Sequence, residues 1–383
     1  MLPRRTDLTM DPADRPIIAT ADDAILAKFA TVQAGYYQDP FLSALSQRSV
    51  GMTHRPRRQV QPIIKRGTHA RVCVMDRAIR SFLEQCSDAD TSATATMTAQ
   101  IVVLGAGKDT SYFRYKNGYI LNNGDMSASK NLQVNWYEVD HPSVVEEKHS
   151  ILRQNMDVFG SAMSELMSNQ HGYAIPPSSD HDQKAKSSYQ LIRHDLRDSP
   201  STLLEKLNLD PKVPTIYLME CVLMYLPNTS SQSLYQALST SCEKVWTICY
   251  EPILQSDPFG SMMQQNLVKL GVASPFSSLM QTRTLDDQLT KLSQYFHVTV
   301  GCDMWQAYET ILTPEQRSHA NRCEFLDEVE EWMLIMRHYC FLVARGGSSQ
   351  ASVVEEDECD VMTSVGANSA LGFTDGKCKV VVS

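Results

Sequence analysis

A strand-like apolar run that leads directly into a glycine turn places the strongest constraint on this chain. Four apolar residues, from Ile101 to Leu104, precede Gly105-Ala106-Gly107. Glycines after a buried strand let the backbone approach a nucleotide, because a Cβ at either position would push the ligand away. The third glycine of the dinucleotide fingerprint is missing, and glycine pairs also occur in ordinary strand-to-helix turns. The turn therefore favours a nucleotide-binding α/β fold but is a weak signal alone.

A second strand-like run, over residues 134–140, strengthens this interpretation because it ends in acidic residues, with Asp140 last. An acid at the end of the second strand of a doubly wound sheet typically accepts hydrogen bonds from ribose hydroxyls, although strand-end acids also cap helices. Asp140 lies further from Gly105 than the usual spacing of about 20 residues. The excess falls in residues 116–130, which are rich in Asn, Gly and Ser and predict a surface insertion.

Further apolar runs alternate with helical patterns and predict a mostly parallel sheet with right-handed crossovers. The predicted strands after the first two cover residues 189–193, 215–220, 245–251, 296–300 and 339–344. Helices are predicted over residues 21–34, 68–85 and 324–337. The last strand could close the sheet by antiparallel insertion, but the sequence does not fix its direction.

The same patterns predict the organisation of the chain. The predicted parts are a disordered N-terminus over residues 1–20, a helical lid facing the substrate over 21–98, the sheet domain over 99–345 with insertions at about 116–130 and 161–188, and a disordered Ser/Gly and acidic tail over 346–383.

Composition excludes several classes of protein. A formal net charge of −9 argues against a nucleic-acid-binding protein. The ten cysteines form no Cys-x-x-Cys pair and no histidines cluster at zinc spacing, so neither a metal site nor a disulfide framework is expected. No apolar run approaches the roughly 18 residues of a membrane span, and the N-terminus lacks the apolar core of a signal peptide. We expect a cytoplasmic monomer without membrane or nucleic-acid partners.

One local basic run stands out against this acidic background: Arg55, Arg57, Arg58, Lys65 and Arg66. It could attract the acidic tail of a protein partner or form a solvated loop. The solvated loop is slightly favoured.

Several short segments together resemble the leucine carboxyl methyltransferases. The matching segments are residues 27–30 (AKFA), 67–72 (GTHARV), 104–110 (LGAGKDT), 137–140 (YEVD), 195–198 (DLRD), 220–225 (ECVLMY), 325–328 (FLDE) and 337–340 (RHYC). They follow one another in the family order from about residue 22 to about residue 345. Thr68 and His69 depart from the family pattern, which usually has an aromatic pair there, and this leaves the shape of the pocket near Arg71 open.

The resemblance implies a fold and an activity. The fold is a Rossmann-like class I methyltransferase, with a mostly parallel seven-stranded sheet, an antiparallel last strand and an added N-terminal helical lid. The activity is S-adenosyl-L-methionine-dependent methylation of the C-terminal leucine carboxylate of the protein phosphatase 2A catalytic subunit. The implied cofactor is S-adenosyl-L-methionine, and the implied partner is the C-terminal tail of that subunit.

The resemblance also implies roles for five residues along a cofactor site. Gly105 and Gly107 would shape the turn near the methionine part of the cofactor, and Asp140 would accept hydrogen bonds from the ribose. Asp195 and Leu196 would lie against adenine.

Five further residues are implied where the methyl group is transferred. Glu220 would face the sulfonium side and the cofactor's amino group, while Lys28 and Arg71 would bind its carboxylate and cover it. Arg197 and Tyr225 would orient the substrate carboxylate. From the residues alone, Arg71 would more often be solvated or salt-bridged. Glu220 is a lone acid among apolar neighbours, which is costly to bury unless it is paired.

The chemistry itself explains why no catalytic histidine is sought. A C-terminal carboxylate has a reference pKa of about 3.5 and is ionised at neutral pH, so methyl transfer to it needs no general base. The site has to hold the reacting groups in line and exclude water.

Alternatives remain within and outside this family. A small-molecule or polyketide O-methyltransferase shares the glycine turn and the strand-end acid, but it does not account for residues 195–198 and 337–340. The related tRNA wybutosine enzyme carries a propeller after its methyltransferase, whereas a short polar tail follows residue 345 here. A catalytically inert scaffold for phosphatase subunits and a nicotinamide-dependent dehydrogenase are the remaining hypotheses.

Overall fold

The fold is organised around one sheet of ten strands in a computed structural model that describes residues 14–46, 60–88, 97–120, 132–175, 188–348 and 379–382. The strands are β1 (Met97–Leu104), β2 (Leu132–Asp140), β3 (Met167–Ser168), β4 (Gly172–Ala174), β5 (Tyr189–Arg193), β6 (Thr215–Glu220), β7 (Val245–Pro252), β8 (Val298–Asp303), β9 (Tyr339–Gly346) and β10 (Lys379–Val382). Their order across the sheet is β10-β8-β9-β7-β6-β1-β2-β5-β4-β3.

The middle of this sheet is the predicted seven-stranded unit. Strands β5, β2, β1, β6 and β7 are parallel neighbours, and β9 lies antiparallel between β7 and β8. This arrangement confirms the predicted fold class, including the antiparallel last strand. The strands at 189–193 and 215–220 have their predicted bounds, while the predicted 296–300 strand lies at Val298–Asp303.

Most residues of β1, β6 and β7 are buried on both faces of the sheet, which explains their largely apolar sequences. In β1, Ile101 and Val103 belong to the core cluster on the face of the N-terminal helices, whereas Val102 and Leu104 belong to the cluster on the opposite face. The two faces are covered by helices that connect the strands.

The helices follow in chain order. They are α1 (Arg15–Gln33), α2 (Pro62–Asp88), α3 (Ser111–Lys116), α4 (Pro142–Gln154), α5 (Met156–Phe159), α6 (Pro200–Leu207), α7 (Asn228–Ser239), α8 (Pro258–Lys269), α9 (Ser278–Gln281), α10 (Leu285–Ser293), α11 (Met304–Thr310), α12 (Pro314–Cys323) and α13 (Val329–Met336), with 3₁₀ turns at Ser161–Glu165 and Leu223–Tyr225. Among the described residues, no helix combines the length and apolarity needed to cross a membrane.

The predicted disorder of residues 1–20 is wrong for residues 15–20. Helix α1 begins at Arg15, six residues before the predicted start at residue 21. Pro16 lies in its first turn, where a missing N–H costs nothing. Polar sequence alone suggested disorder, but contacts with the rest of the fold order this segment. Residues 1–13 lie outside the described part of the chain.

The predicted helix over 324–337 is also wrong over residues 324–328. Helix α12 ends at Cys323, and α13 begins only at Val329. Helix α2 is longer than the predicted 68–85 because Pro62 starts it one and a half turns earlier.

Three short strands extend the sheet beyond the predicted seven. Strands β3 and β4 form an antiparallel hairpin on the edge of β5, inside the predicted insertion 161–188. At the other edge β10 pairs antiparallel with β8, inside the predicted disordered tail 346–383. Both additions cover edge backbone that would otherwise be unpaired. Residues 121–131, 176–187 and 349–378 lie outside the described chain, so the predictions for them stay predictions.

Candidate functional site

A cavity of about 570 Å³ opens at the carboxyl ends of β1, β2, β5 and β6. The sequence order of the strands reverses between β1 and β6, and ligands of open α/β sheets bind outside the carboxyl ends at such a point. All ten predicted site residues line this cavity: Lys28, Arg71, Gly105, Gly107, Asp140, Asp195, Leu196, Arg197, Glu220 and Tyr225. The structure therefore brings together residues from six parts of the chain.

The glycine turn forms one wall of the cavity and needs both glycines. Gly105 has a φ of +62°, and Gly107 has a φ of +53°, values that L side chains rarely adopt. A Cβ on Gly105 would lie 2.7 Å from Cγ2 of Val222. Two constraints, backbone conformation and close packing, thus act on Gly105 at once.

Asp140 ends β2 and holds the glycine turn in place. Its Oδ2 accepts a hydrogen bond from the Gly107 N–H at 2.6 Å, and its Oδ1 accepts one from the His141 N–H at 2.6 Å. Burial raises the pKa of Asp140, and these two backbone donors oppose that effect. The carboxylate oxygens keep further acceptor capacity toward the cavity.

Opposite charges converge at the end of β6. Glu220 pairs with Arg71, whose guanidinium also lies 4.9 Å over the ring of Tyr250, and with Lys28 at 3.4 Å. Lys28 lies 3.6 Å from Asp109 as well. Burial would raise the pKa of Glu220, but Arg71 and Lys28 outweigh it and lower the pKa to about 2. Two cations and two carboxylates can therefore pair with both ends of an amino-acid zwitterion.

A second charged group lies on the Asp195 side of the cavity. Arg197 bonds both carboxylate oxygens of Asp14, at 2.6 and 3.0 Å, and its Nε donates to Asp195 at 2.9 Å. The hydrogen bond from Arg197 is the main cause that lowers the pKa of Asp14. The Arg197 side chain is 39% exposed, so a ligand carboxylate can reach it and displace Asp14.

Asp14 and Asp195 also lie close to His141, and one potential ligand atom of each falls within 4.8 Å of the others. Arg197 bonds both carboxylates and so already supplies a fixed positive charge there. This arrangement disfavours a metal ion among these three side chains.

Tyr225 follows a strained segment that leaves β6. Cys221, directly after Glu220, has a φ of +56°, which is unusual for a residue with a Cβ. Its N–H donates to the Tyr250 carbonyl at 2.8 Å. Burial raises the pKa of the Tyr225 phenol, so the hydroxyl stays neutral at physiological pH and can donate a hydrogen bond.

Sequence reasoning predicted a helical lid from residue 21 but missed the start of α1, which extends the roof of the cavity. Residues 16–25 apart from Asp22 line the cavity, and Asp22 pairs with Lys108. Lys108 directly follows the glycine turn, so its position was the available signal. No signal marked Asp14, because it lay in a segment predicted to be disordered.

Two other sequence features do not contribute to the cavity. The His69 ring is tilted against the Tyr36 ring, with ring centroids 5.5 Å apart. Neither Thr68 nor His69 is among the described residues that line the cavity. In the basic run, Lys65 and Arg66 are buried against α12, where they bond Glu324 and Asn321. The solvated-loop hypothesis is therefore wrong for these two, and neither is exposed to attract a partner. Arg55, Arg57 and Arg58 lie outside the described residues.

Comparisons with known proteins show which family this chain is similar to. Residues 17–239 match the family model described as leucine carboxyl methyltransferase. Leucine carboxyl methyltransferase 1 of Aspergillus fumigatus is 30% identical, over 88% of this chain and 84% of its own. The Cryptococcus neoformans protein of the same name is 26% identical, over 92% of this chain and 99% of its own. A solved structure of a putative methyltransferase from Thermobifida fusca aligns over 80% of this chain and 88% of its own, with a TM-score of 0.42 and 12% identity.

Proposed function

Because the chain belongs to the leucine carboxyl methyltransferase family, we propose that it methylates the C-terminal leucine carboxylate of the protein phosphatase 2A catalytic subunit. The methyl donor in this proposal is S-adenosyl-L-methionine, and the compartment is the cytoplasm. The observation that carries the proposal is the single cavity lined by all ten predicted residues.

The cavity fits the proposed cofactor in size and charge. Its volume of about 570 Å³ lies within the usual range for small-molecule sites. Lys28 and Arg71 would hold the amino-acid carboxylate, and Glu220 would hold the ammonium group, because each then meets an opposite charge. Asp140 would accept from the ribose hydroxyls. When bound there, the cofactor supplies an electrophilic methyl group on sulfur.

The proposed reaction requires little acid–base chemistry from the protein. The substrate carboxylate is ionised at neutral pH, so the chain has to orient it, align it and keep water away. Arg197 would bind one carboxylate oxygen as a charged donor, and Tyr225 would donate its phenolic O–H to the other. Helix α1 covers the cavity and thereby limits access of water.

The proposed function is tested by transfer of a labelled methyl group from S-adenosyl-L-methionine to the purified phosphatase 2A catalytic subunit. We expect label that mild base removes, as from an ester, and no label on a subunit lacking its terminal leucine. A tail peptide ending in leucine amide is a matched control, because it lacks only the carboxylate. Cofactor binding without any protein label would instead favour the small-molecule methyltransferase.

Replacing Asp14 with asparagine is expected to lower the KM for the acceptor about fivefold, with kcat little changed. Asp14 occupies the two Arg197 nitrogens that the substrate carboxylate would use, so weakening this exposed charge pair removes about 1 kcal/mol of competition. Steady-state kinetics with a leucine-terminated tail peptide measure the change.

The control for this experiment is Asp198→Asn, which removes a negative charge near Arg197. Among the described contacts, the Asp198 side chain makes no hydrogen bond to Arg197. We expect its KM to stay close to that of the unmodified protein. A higher KM for Asp14→Asn would mean that Asp14 is needed to position Arg197, and competition would be ruled out.

A further inference from the structure

We propose that Glu251 is a positioning residue for the cavity segment 221–225, which joins Glu220 to Tyr225. This inference rests on the proposed function, since it concerns how the acceptor side of the same site is held. Glu251 lies near the end of β7, beside β6, and is 1% exposed. It does not line the cavity itself among the described residues.

The contacts of Glu251 are directed at the backbone of this segment. Oε1 accepts hydrogen bonds from the N–H groups of Val222 at 2.8 Å and Leu223 at 2.9 Å. Oε2 accepts one from the Met224 N–H at 3.2 Å. Three consecutive backbone donors therefore converge on one buried carboxylate.

This segment needs an external anchor because its own backbone is irregular. Cys221 has a positive φ, and only a short 3₁₀ turn, Leu223–Tyr225, follows it. The first backbone N–H groups of a helical turn have no partners within the turn, so another group must satisfy them when they are buried. Glu251 satisfies three at once and thereby fixes where Val222 meets Gly105 and where Tyr225 enters the cavity.

The ionised form of Glu251 is the one suited to this task, because it can accept at both oxygens. Burial raises its pKa to about 7, against the opposing effects of the three N–H donors and Lys291. Protonation below neutral pH converts one oxygen to a hydroxyl, which no longer offers a full acceptor charge to the Met224 N–H. A glutamine side chain imitates this protonated form.

The groups around Glu251 have to be considered before a pH profile is interpreted. The titratable neighbours are Cys221, Tyr225, Tyr235, Cys249, Lys291, Tyr339 and Cys340. Burial raises the pKa of the thiols and phenols, so they stay neutral near pH 7. Lys291 has its pKa lowered to about 8 and remains largely charged below that pH.

The test compares the full-length protein with Glu251→Gln. The measured quantity is kcat/KM for a leucine-terminated tail peptide between about pH 5.5 and about pH 7.5. We expect the ratio of unmodified to variant kcat/KM to be near 1 at about pH 5.5 and to rise to about 10 at about pH 7.5. At the higher pH the variant lacks one hydrogen bond to a charged acceptor. Histidines that line the cavity affect both proteins and cancel in this ratio. Cofactor affinity measured by calorimetry should change less than about threefold.

Glu138→Gln is the matched control. Glu138 is equally buried and its pKa is also raised to about 7, but its partners are the side chains of Lys148 and Tyr189. Its activity ratio should not vary with pH even if its stability falls. A constant ratio for Glu251→Gln, whether near 1 or large, would overturn the positioning role. If the unmodified protein methylates no leucine-terminated acceptor, the proposed function fails instead.

Discussion

Replacing Arg71 with alanine is expected to weaken S-adenosyl-L-methionine binding by about 2 to 5 kcal/mol, the range found when one partner of a hydrogen-bonded charge pair away from solvent is truncated; the pair with Glu220 is partly buried. This corresponds to a loss of affinity between about 30-fold and several thousand-fold. Arg71 bonds Glu220 and packs over Tyr250. When Arg71 is removed, Lys28, at 3.4 Å, is the member of the cation pair that remains beside Glu220. The cofactor carboxylate would lose its guanidinium at the same time. Calorimetric titration with the cofactor measures the effect.

Two further variants separate binding from folding in this experiment. Arg71→Lys keeps the charge but loses the planar guanidinium. Its affinity for the cofactor should therefore lie between that of the unmodified protein and that of Arg71→Ala. Arg66→Ala removes another buried arginine from the same helix, one that bonds Asn321 and the Ala320 carbonyl away from the cavity. We expect Arg66→Ala to lower stability with little change in cofactor affinity. An unchanged affinity in folded Arg71→Ala would show that Arg71 does not bind the cofactor.

Replacing Gly105 with alanine is expected to destabilise the fold by about 2 to 5 kcal/mol and to lower cofactor affinity sharply. The left-handed backbone at a φ of +62° costs about 1 to 2 kcal/mol for a residue with a Cβ. The contact of 2.7 Å with Val222 adds an overpacking cost of about 1 to 3 kcal/mol. Any shift of the turn that relieves the clash also moves the Gly107 N–H away from Asp140. Urea unfolding and cofactor titration measure the two effects.

Gly35 offers a control that isolates the backbone cost. It has a φ of +86°, and nothing lies within 4 Å of where its Cβ would be. Gly35→Ala should therefore show the backbone cost without the clash. Adding Val222→Ala to Gly105→Ala should recover part of the lost stability by making room. If Gly105→Ala is no less stable than Gly35→Ala, the close packing against Val222 does not matter in solution.

The buried strands were predictable from the sequence because strands covered on both faces are mostly apolar. Residues 189–193 are flanked by polar residues on both sides, and the predicted limits of this strand and of 215–220 were correct. Strand β3 has two residues, both exposed, and no sequence pattern can mark so short a strand. Strands β3, β4 and β10 form because an existing sheet edge offers them hydrogen-bonding partners, which is a property of the folded protein.

The site was predictable where it depends on strand ends. Parallel strands end at one edge of a sheet, so Gly105 and Asp140 had to lie near each other. Lys28 and Arg71 lie on helices outside the sheet, and only the family resemblance pointed to them. The bond between Asp14 and Arg197 joins residues 183 positions apart. Such a contact follows from how α1 crosses the cavity, and local sequence contains no information about it.

The position of β9 between β7 and β8 has a consequence for synthesis of the chain. Residues 339–346 are synthesised after all the remaining strands of the central seven, yet this strand pairs with both of its neighbours. A nascent chain that stops before Tyr339 would leave β7 and β8 without the strand that joins them, so each would have an open edge, which favours aggregation. Tyr339 also lines the cavity and stacks on Tyr250 at 5.2 Å. We therefore expect a product that ends before Tyr339 to lack both the closed sheet and one wall residue of the cavity.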